Sequence, residues 1–234
     1  MDYSESAINR LMCIPFFSSL CAENIYSGAV HFSMGLVMNQ PKRLIVGISG
    51  ASGIDLGVRV LELLAETEIE THLILSKAAE LTRSLESAYT ADSIKKLARV
   101  VHPAGDVAAS ISSGSFRTMG MLIAPCSVKT LAEIANGVTA SLMSRAADVV
   151  LKERRRLVLM VRETPLNLIH LRNMVSVTEA GAMVMPPVPA FYSAPTSIDD
   201  MLTQSAARAL DLFDIELPHL RRWREERNQS DDRS

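Results

Sequence analysis

Cysteine is scarce in this chain of 234 residues, and its few copies follow no paired spacing. The three cysteines are Cys13, Cys21 and Cys126. An odd, sparse set of this kind excludes a disulfide framework and provides no zinc-binding pattern. We therefore expect a reducing compartment, and the cytoplasm fits best.

Aromatic residues and net charge are also low. Aromatics make up 5% of the chain, with a single tryptophan, and the formal net charge is −2. These values exclude a base-stacking platform and give no electrostatic case for binding nucleic acid or an anionic membrane. No apolar run reaches the roughly 20 residues of a membrane span. The five histidines lack the spacing of metal ligands, so the sequence predicts no metal site.

The hydrophobic content of 48% is enough for one substantial core. We expect a single domain over residues 38–223. Residues 1–37 are interpreted as an N-terminal extension, either a flexible tail or a misassigned start, because the apolar stretch Leu11–Ala22 only faintly resembles a signal peptide. Residues 224–234 are charged and poor in apolar side chains, which predicts a disordered tail.

From Lys42 onward, apolar runs alternate with helical patterns. This alternation predicts an α/β fold, a doubly wound and mainly parallel sheet with helices on both faces. The predicted strands are Arg43–Ser49, Thr71–Leu75, Met119–Ala124, Arg156–Val161 and Ala182–Met185. The predicted helices are Ile54–Ala65, Ala78–Ser87, Ala91–Ala98, Val128–Asn136, Ser141–Arg154, Leu168–Ala180 and Ile198–Phe213.

Two segments do not fit this alternation of strands and helices. Asp106–Thr118 is rich in Ser, Gly and Ala with little to bury, which predicts a mobile loop that lies over a site. Pro186–Tyr192 is too proline-dense for a helix or a central strand, which predicts a rigid extended segment.

The most informative segment is Arg43–Gly53, with the sequence RLIVGISGASG. A predicted strand enters a turn of small residues, and a helix begins at once. The backbone N–H groups of Gly50–Gly53 are thereby placed at a helix N-terminus, where unpaired donors and the helix dipole favour an anion, usually a phosphate. The turn is neither the dinucleotide-binding glycine motif nor a P-loop.

Polar residues follow the other predicted strands. Ser76 follows the second strand, either as an ordinary helix N-cap or as an anion ligand. Ser127 and Thr130 follow the third strand, and they could cap the next helix or bind a second anion. Arg162 and Glu163 follow the fourth strand, where a charged pair at the end of a buried strand is costly without a partner or a ligand, so we favour a functional role.

Three further residues have two interpretations each. Arg145 and Lys152 share one face of a predicted helix, and they could jointly meet an anion or simply belong to a solvated helix end. Cys126 has no residue placed by motif to activate it, so a small buried thiol is favoured over a nucleophile.

Several motifs occur together and in order: LIVGISGASG, THLILSKAA, AASISSGSF, APCSVKTLA, RAADVVLKERRRLVL, RETPL, HLRNM and MPPVPAFY. With them, the chain from about Lys42 to Trp223 resembles the UbiX family of flavin prenyltransferases. The resemblance implies a Rossmann-like flavoprotein fold, a cytoplasmic location and trimers grouped into a homo-dodecamer. It implies transfer of the dimethylallyl group of dimethylallyl phosphate to N5 and C6 of reduced FMN. The prenylated FMN would then serve a UbiD-type decarboxylase, in ubiquinone biosynthesis or aromatic acid decarboxylation.

The same resemblance assigns site residues. The implied FMN contacts are Gly50, Ala51, Ser52, Ser76, Ser127, Val128, Lys129, Thr130 and Arg162. The implied contacts to the phosphate of the prenyl donor, some from a neighbouring subunit, are Tyr192, Arg208, Arg145 and Lys152. Glu163 would relay protons, Lys152 would contribute its charge, Glu86 would lie near the reacting flavin, and Trp223 would be a late aromatic near the site.

Two other functions stay open at this point. One is a related flavoprotein cysteine decarboxylase, which shares the stretch Ile134–Gly137 but uses a catalytic histidine that has no fitting counterpart between Gly53 and His72. The other is a non-catalytic FMN-binding accessory subunit, which would not need Lys152 or Glu163. The choice between a monophosphate and a diphosphate donor is open as well.

Overall fold

A computed structural model describes residues 41–223 of the chain. The predicted extension at 1–37 and the predicted tail at 224–234 lie outside the described residues, as do Cys13 and Cys21.

The described residues form one six-stranded parallel sheet with the strand order β3-β2-β1-β4-β5-β6. The strands are β1 (Arg43–Ile48), β2 (Glu70–Leu75), β3 (Val100–His102), β4 (Gly120–Cys126), β5 (Arg156–Val161) and β6 (Met183–Val184). The register of β1 and β2 runs from Arg43 opposite Glu70 to Ile48 opposite Leu75.

Seven α-helices accompany the sheet within the described range. They are α1 (Ile54–Ala65), α2 (Lys77–Glu86), α3 (Ala91–Lys96), α4 (Val128–Ala135), α5 (Leu142–Lys152), α6 (Leu168–Glu179) and α7 (Ile198–Asp211). Two short 3₁₀ turns cover Ser110–Ser112 and Phe191–Ser193.

The core lies on both faces of the sheet, because successive side chains of a strand point to opposite faces. On β1, Leu44, Val46 and Ile48 pack with the apolar faces of α1 and α7. Ile45, from the same strand, packs on the other face with residues of α4 and α5. The predicted fold class, a doubly wound parallel sheet covered on both faces, is confirmed.

Strand β3 was not predicted from the sequence. It spans three residues at the edge of the sheet and is followed by Pro103, so it is too short to show an alternating pattern. Its last residue, His102, is buried and its Nε2 lies 2.9 Å from Nδ1 of His72. Burial, and then the neighbouring His72, lower the pKa of His102. Both histidines are therefore buried and contact each other at the edge of the sheet.

Two loop predictions need correction. Segment 106–118 was expected to have little to bury, but it forms a 3₁₀ turn in which Ile111 is buried, and Phe116 packs edge-on against His72 with ring centroids 5.1 Å apart. Segment 186–192 is irregular, but its last two residues belong to a 3₁₀ turn and are not extended. In segment 106–118, composition alone hides the two apolar residues that pack, Ile111 and Phe116.

Within residues 41–223, no helix has the length and apolar character to cross a membrane. The same residues contain no cluster of three or more His, Cys, Asp or Glu side chains that could hold a metal ion.

Candidate active site

Strand order places the predicted ligand residues at one edge of the sheet. Strand β1 has β2 on one side and β4 on the other, so the chain reverses its direction of winding there. In open parallel sheets, ligands bind beyond the carboxyl ends of the strands at such a switch point. The turn after β1 and the segments after β2, β4 and β5 are therefore neighbours along this edge.

The glycine turn after β1 is tightly packed. A Cβ at Gly50 would collide with the side chain of Ala78 at the start of α2, and Gly53 has a left-handed φ of 92°, which glycine adopts without strain. The side chain of Arg162 covers the turn, since a Cβ at Gly53 would lie 3.4 Å from its Cδ. The turn thus needs small residues and lies directly beneath a guanidinium-bearing side chain.

A carboxylate occupies the N-terminus of α1. Glu86, at the end of α2, accepts the backbone N–H of Gly53 at 2.5 Å and that of Ile54 at 3.0 Å through Oε1. Its Oε2 accepts the hydroxyl of Ser52 at 2.6 Å. The anion predicted for this helix end is therefore, in this chain, one of its own side chains, and the N–H of Gly53 is not available to a ligand.

Burial raises the pKa of Glu86, but its hydrogen bonds to Ser52 and to the two N–H groups outweigh this effect. The positive charge of Arg162 lowers the pKa further, and the result lies below the ordinary value. Glu86 is accordingly a carboxylate at neutral pH.

The other backbone N–H groups of the turn remain available to a ligand. Within residues 41–223, the backbone N–H groups of Gly50, Ala51 and Ser52 meet no acceptor. These three N–H groups and Arg162 are suited to an anionic or acceptor-rich ligand, such as the phosphate or ring of a flavin nucleotide. The residues present at this turn therefore fit FMN.

The serines after β2 and β4 are N-caps. Ser76 Oγ accepts the N–H of Ala79 at 3.0 Å. Ser127 Oγ accepts the N–H of Thr130 at 3.3 Å and lies 3.1 Å from its hydroxyl. The capping interpretation is confirmed for both, and each cap fixes a helix N-terminus at the carboxyl edge of the sheet. Beside them Val128 is partly buried, and Lys129 is exposed and paired with Glu133 at 3.0 Å.

Ser49 was not predicted to contribute. It is buried at 1% exposure, its hydroxyl donates to the carbonyl of Pro125 at 2.8 Å, and its Oγ accepts the N–H of Ser127 at 2.7 Å. The side chain therefore joins the end of β1 to the end of β4. The sequence feature that could have indicated this role is a hydroxyl side chain at the end of the predicted apolar strand Arg43–Ser49.

The burial argument for Arg162 and Glu163 was wrong, because both residues are exposed after β5. The N–H of Arg162 donates to the carbonyl of Cys126 at 3.0 Å, and Glu163 Oε1 accepts the N–H of Thr164 at 2.9 Å. Their charges remain in contact with solvent, so no desolvation cost demands a ligand. Both follow the carboxyl end of β5, and the side chain of Arg162 lies over Gly53.

Arg145 and Lys152 lie on α5. Arg145 pairs with Asp148 at 2.7 Å, and Lys152 Nζ pairs with Glu153 at 2.6 Å. Lys152 ends its helix just before β5 begins, and Arg162 follows the end of that strand. Because β5 is about 20 Å long, Lys152 and Arg162 lie at opposite edges of the sheet in one chain. The chain by itself does not bring Lys152 to the glycine turn.

A third group of predicted residues forms a contiguous set. The rings of Tyr192 and Trp223 meet edge-on with centroids 5.6 Å apart. Arg222, next to Trp223, donates to Asp211 at 2.5 Å, and Arg208 donates to the same carboxylate at 2.8 Å. Tyr192 and Trp223 are thus in direct contact, and Arg208 is connected to Trp223 through Asp211 and Arg222.

Cys126 ends β4 and is fully buried. Burial raises the pKa of its thiol to about 12. The thiol stays protonated at neutral pH, so the interpretation as a structural residue is supported over that as a nucleophile.

Comparisons with known proteins identify the family. The model of the family named Flavoprotein matches residues 35–210. Flavin prenyltransferase UbiX of Neisseria meningitidis serogroup B is 58% identical over 182 residues, covering 78% of this chain and 96% of that protein. Flavin prenyltransferase UbiX of Escherichia coli K12 is 58% identical over 185 residues, covering 78% and 98%. The chain belongs to the UbiX flavin prenyltransferase family.

Solved structures of the UbiX family share the fold. AnUbiX (PadA1), crystallised with FMN and dimethylallyl pyrophosphate, superposes with a TM-score of 0.77 at 52% identity and covers 79% of this chain and 98% of that one. A dodecameric FMN-dependent UbiX-like decarboxylase from Escherichia coli O157:H7 gives 0.76 at 51% identity, with coverage of 77% and 98%. The cysteine decarboxylase TvaF reaches 0.51 at 18% identity, which shows a common fold alone.

Proposed function

We propose that this UbiX family member is a flavin prenyltransferase that joins the dimethylallyl group of dimethylallyl phosphate to N5 and C6 of reduced FMN, releasing phosphate. The observation that carries the proposal is the 58% identity over 96% of the length of a named flavin prenyltransferase. The glycine turn, with its free N–H groups under Arg162, supports it independently as a place for the flavin nucleotide.

When bound, reduced FMN supplies the nucleophilic ring atoms, and the protein residues bind and orient the two partners. Gly50, Ala51 and Ser52 would hold the phosphate side of FMN through backbone N–H groups. Ser76 and the Ser127–Thr130 segment would line the same edge, with Arg162 above the turn. Glu86 would keep Ser52 and the start of α1 fixed, because its carboxylate is bonded to both.

The donor half of the site would consist of cations and aromatic rings. Lys152, Arg145 and Arg208 would neutralise the departing phosphate, and the phenol of Tyr192 would donate a hydrogen bond to it. Tyr192 and Trp223 would form an aromatic wall that excludes water from an allylic cation. Glu163 would hold and transfer the proton that the reaction releases.

We further propose that neighbouring subunits complete the site. In one chain, Lys152 lies at the amino edge of the sheet and the glycine turn at the carboxyl edge. A homo-oligomer would bring the two edges of different subunits together, and the dodecameric UbiX-like neighbour is consistent with this. A cytoplasmic location and a UbiD-type decarboxylase as recipient of prenylated FMN belong to the same proposal.

One anaerobic assay tests the function. The protein is mixed with reduced FMN and either dimethylallyl phosphate or dimethylallyl pyrophosphate, and the flavin is analysed by mass spectrometry. We expect a flavin enlarged by one five-carbon unit with at least one donor, and none in samples with heat-denatured protein. An unchanged flavin with both donors, in a sample that still binds FMN, would indicate a non-catalytic flavin-binding subunit. Carbon dioxide release from a peptide with a C-terminal cysteine would indicate the decarboxylase alternative.

A further inference from the structure

The last described segment, Pro218–Trp223, is named here the C-terminal strap. It follows α7 and is fixed to the body of the fold at several points. Leu220 packs against the core cluster that includes α1 and α7, and His219 Nε2 lies 2.9 Å from Oε2 of Glu66. These contacts fix the strap at His219 and Leu220, shortly before Trp223.

Gln204 determines where the strap continues. Its side chain, on α7, is 5% exposed, and both polar atoms of the amide bond to the backbone of Arg221. Nε2 donates to the carbonyl at 2.8 Å, and Oε1 accepts the N–H at 3.1 Å. This two-point contact fixes both the position and the orientation of the Arg221 peptide, as a strand neighbour would.

Arg221 connects the strap to the segment that carries Tyr192. Its Nη1 donates to the carbonyl of Ser193 at 2.9 Å, and the hydroxyl of Ser193 donates to the carbonyl of Ala190 at 2.7 Å. The 3₁₀ turn that contains Tyr192 is thus closed by a hydrogen bond of its own and attached to the strap by a second one. Arg221 therefore links the strap directly to the backbone of this turn.

The two attachments lie next to the predicted donor-side residues. Arg221 precedes Trp223 by two positions, Ser193 follows Tyr192 directly, and the two rings meet at 5.6 Å. Arg222, between Arg221 and Trp223, also contacts the carboxylate that pairs with Arg208.

We infer that Gln204 and Arg221 are positioning residues for prenyl-donor binding: they hold the strap so that Tyr192, Trp223 and Arg208 form one preorganised surface. This inference rests on the proposed function, because it deepens the donor half of that site. Neither residue needs to touch the donor or the flavin. Their effect would pass through the two aromatic rings and should leave the FMN half unchanged.

Four variants separate positioning from general stability. Gln204→Leu keeps the buried volume and removes both hydrogen bonds to the strap, and Arg221→Met removes the bond to Ser193. Arg221→Lys restores a cationic donor to the same segment. Thr203→Val is the matched control, because Thr203 adjoins Gln204 in sequence and lines the same polar cleft of about 760 Å³, but makes no hydrogen bond to the strap.

The single tryptophan of the chain gives a readout that does not depend on activity. Steady-state anisotropy and acrylamide quenching of Trp223 are measured on each full-length variant in its native assembly. We expect lower anisotropy and stronger quenching for Gln204→Leu and Arg221→Met, an intermediate result for Arg221→Lys, and wild-type values for Thr203→Val.

The kinetic result should be specific to the donor. Misplacement of the rings should lower kcat/KM for dimethylallyl phosphate about tenfold, mainly through KM, in the first two variants. The Kd of FMN, from quenching of flavin fluorescence, should stay at the wild-type value. Wild-type tryptophan mobility and wild-type donor kinetics in both variants would overturn the inference, and so would a parallel loss of FMN binding. If wild-type protein made no prenylated flavin, the proposed function would fail, but the tryptophan measurements would still decide whether Gln204 and Arg221 hold the ring.

Discussion

The carboxylate of Glu86 caps α1 at Gly53, from a position 33 residues away in the chain. A helix whose first residues carry no side-chain cap of their own is completed by an anion from the end of the next helix. The contact joins α1 to α2 and fixes the turn beneath Arg162. It also occupies the N–H of Gly53, one of the donors that the sequence pattern offered to an external anion, and leaves those of Gly50, Ala51 and Ser52.

The charge of Glu86 should stabilise the fold in a pH-dependent way. Its pKa is lowered in the folded state, so its contribution is fully present above the unfolded value of 4.5 and is lost as pH falls through the lower folded pKa. Glu86→Gln keeps an acceptor but removes the charge, and should lower the free energy of unfolding by about 0.5–1 kcal/mol at neutral pH. Urea unfolding of both proteins at equal concentration and a series of pH values measures this. The difference should shrink below pH 4.5; a difference that is constant down to strong acid would contradict the role of the charge.

Ser49 should be more important for stability than its size suggests. Ser49→Ala leaves the N–H of Ser127 without its partner and removes one of two hydrogen bonds to the carbonyl of Pro125, which still accepts the backbone N–H of residue 49. The unpaired N–H should cost about 1–3 kcal/mol. Ser84→Ala is the control, because the Ser84 hydroxyl is exposed on α2 and bonds only to the carbonyl of Leu81, so its loss should change stability by less than about 0.5 kcal/mol. Urea unfolding midpoints compare the two variants. Equal midpoints would show that the link between β1 and β4 is energetically minor.

The sequence could predict the parallel sheet and the segments at the carboxyl ends of its strands, because apolar runs indicate which strands are buried. The bounds of α1 and β5 agree with their predicted ones, and Gly50–Gly53 lies at the predicted strand-to-helix turn. The occupant of that turn could not be predicted, since it depends on the direction of the Glu86 side chain relative to a distant helix. The exposure of Arg162 and Glu163 was missed for a related reason: β5 ends at Val161 as predicted, but whether the residues after it are covered depends on the path of distant segments.

The separation of Lys152 from Arg162 illustrates a second limit. Motifs are read along one chain, but these two residues lie at opposite edges of one sheet. The order of α5 and β5 along the chain separates them by the length of the strand. The contact between Tyr192 and Trp223 was not predicted, although both residues had been assigned to the site from the family resemblance.

Glu163 should affect chemistry and not flavin binding. Its carboxylate is exposed at the carboxyl edge and its Oε1 is bonded to the adjacent N–H of Thr164, so Glu163→Gln preserves shape and removes the ability to accept a proton. Loss of a general acid or base should lower kcat by about 100-fold or more. Single-turnover formation of prenylated FMN measures this, with the Kd of FMN measured in parallel.

Glu179→Gln, at the exposed end of α6, is the matched control for Glu163→Gln and should behave as wild type. Loss of FMN binding in Glu163→Gln, or formation of prenylated FMN at the wild-type rate, would contradict the proposed proton-transfer role.

Gly114 should be required for the position of Lys152. A Cβ at Gly114 would collide with the carboxylate of Glu153 and lie 2.8 Å from Nζ of Lys152, and Arg155 holds the Gly114 carbonyl at 2.7 Å, so the segment cannot easily withdraw. Gly114→Ala should therefore displace the ammonium group and raise KM for the prenyl donor about tenfold, with FMN affinity unchanged. Gly105→Ala is the control, because a Cβ there meets nothing within 4 Å. Steady-state kinetics with varied donor concentration distinguish the two; equal KM values in Gly114→Ala and Gly105→Ala would mean that Lys152 does not contact the donor from this position.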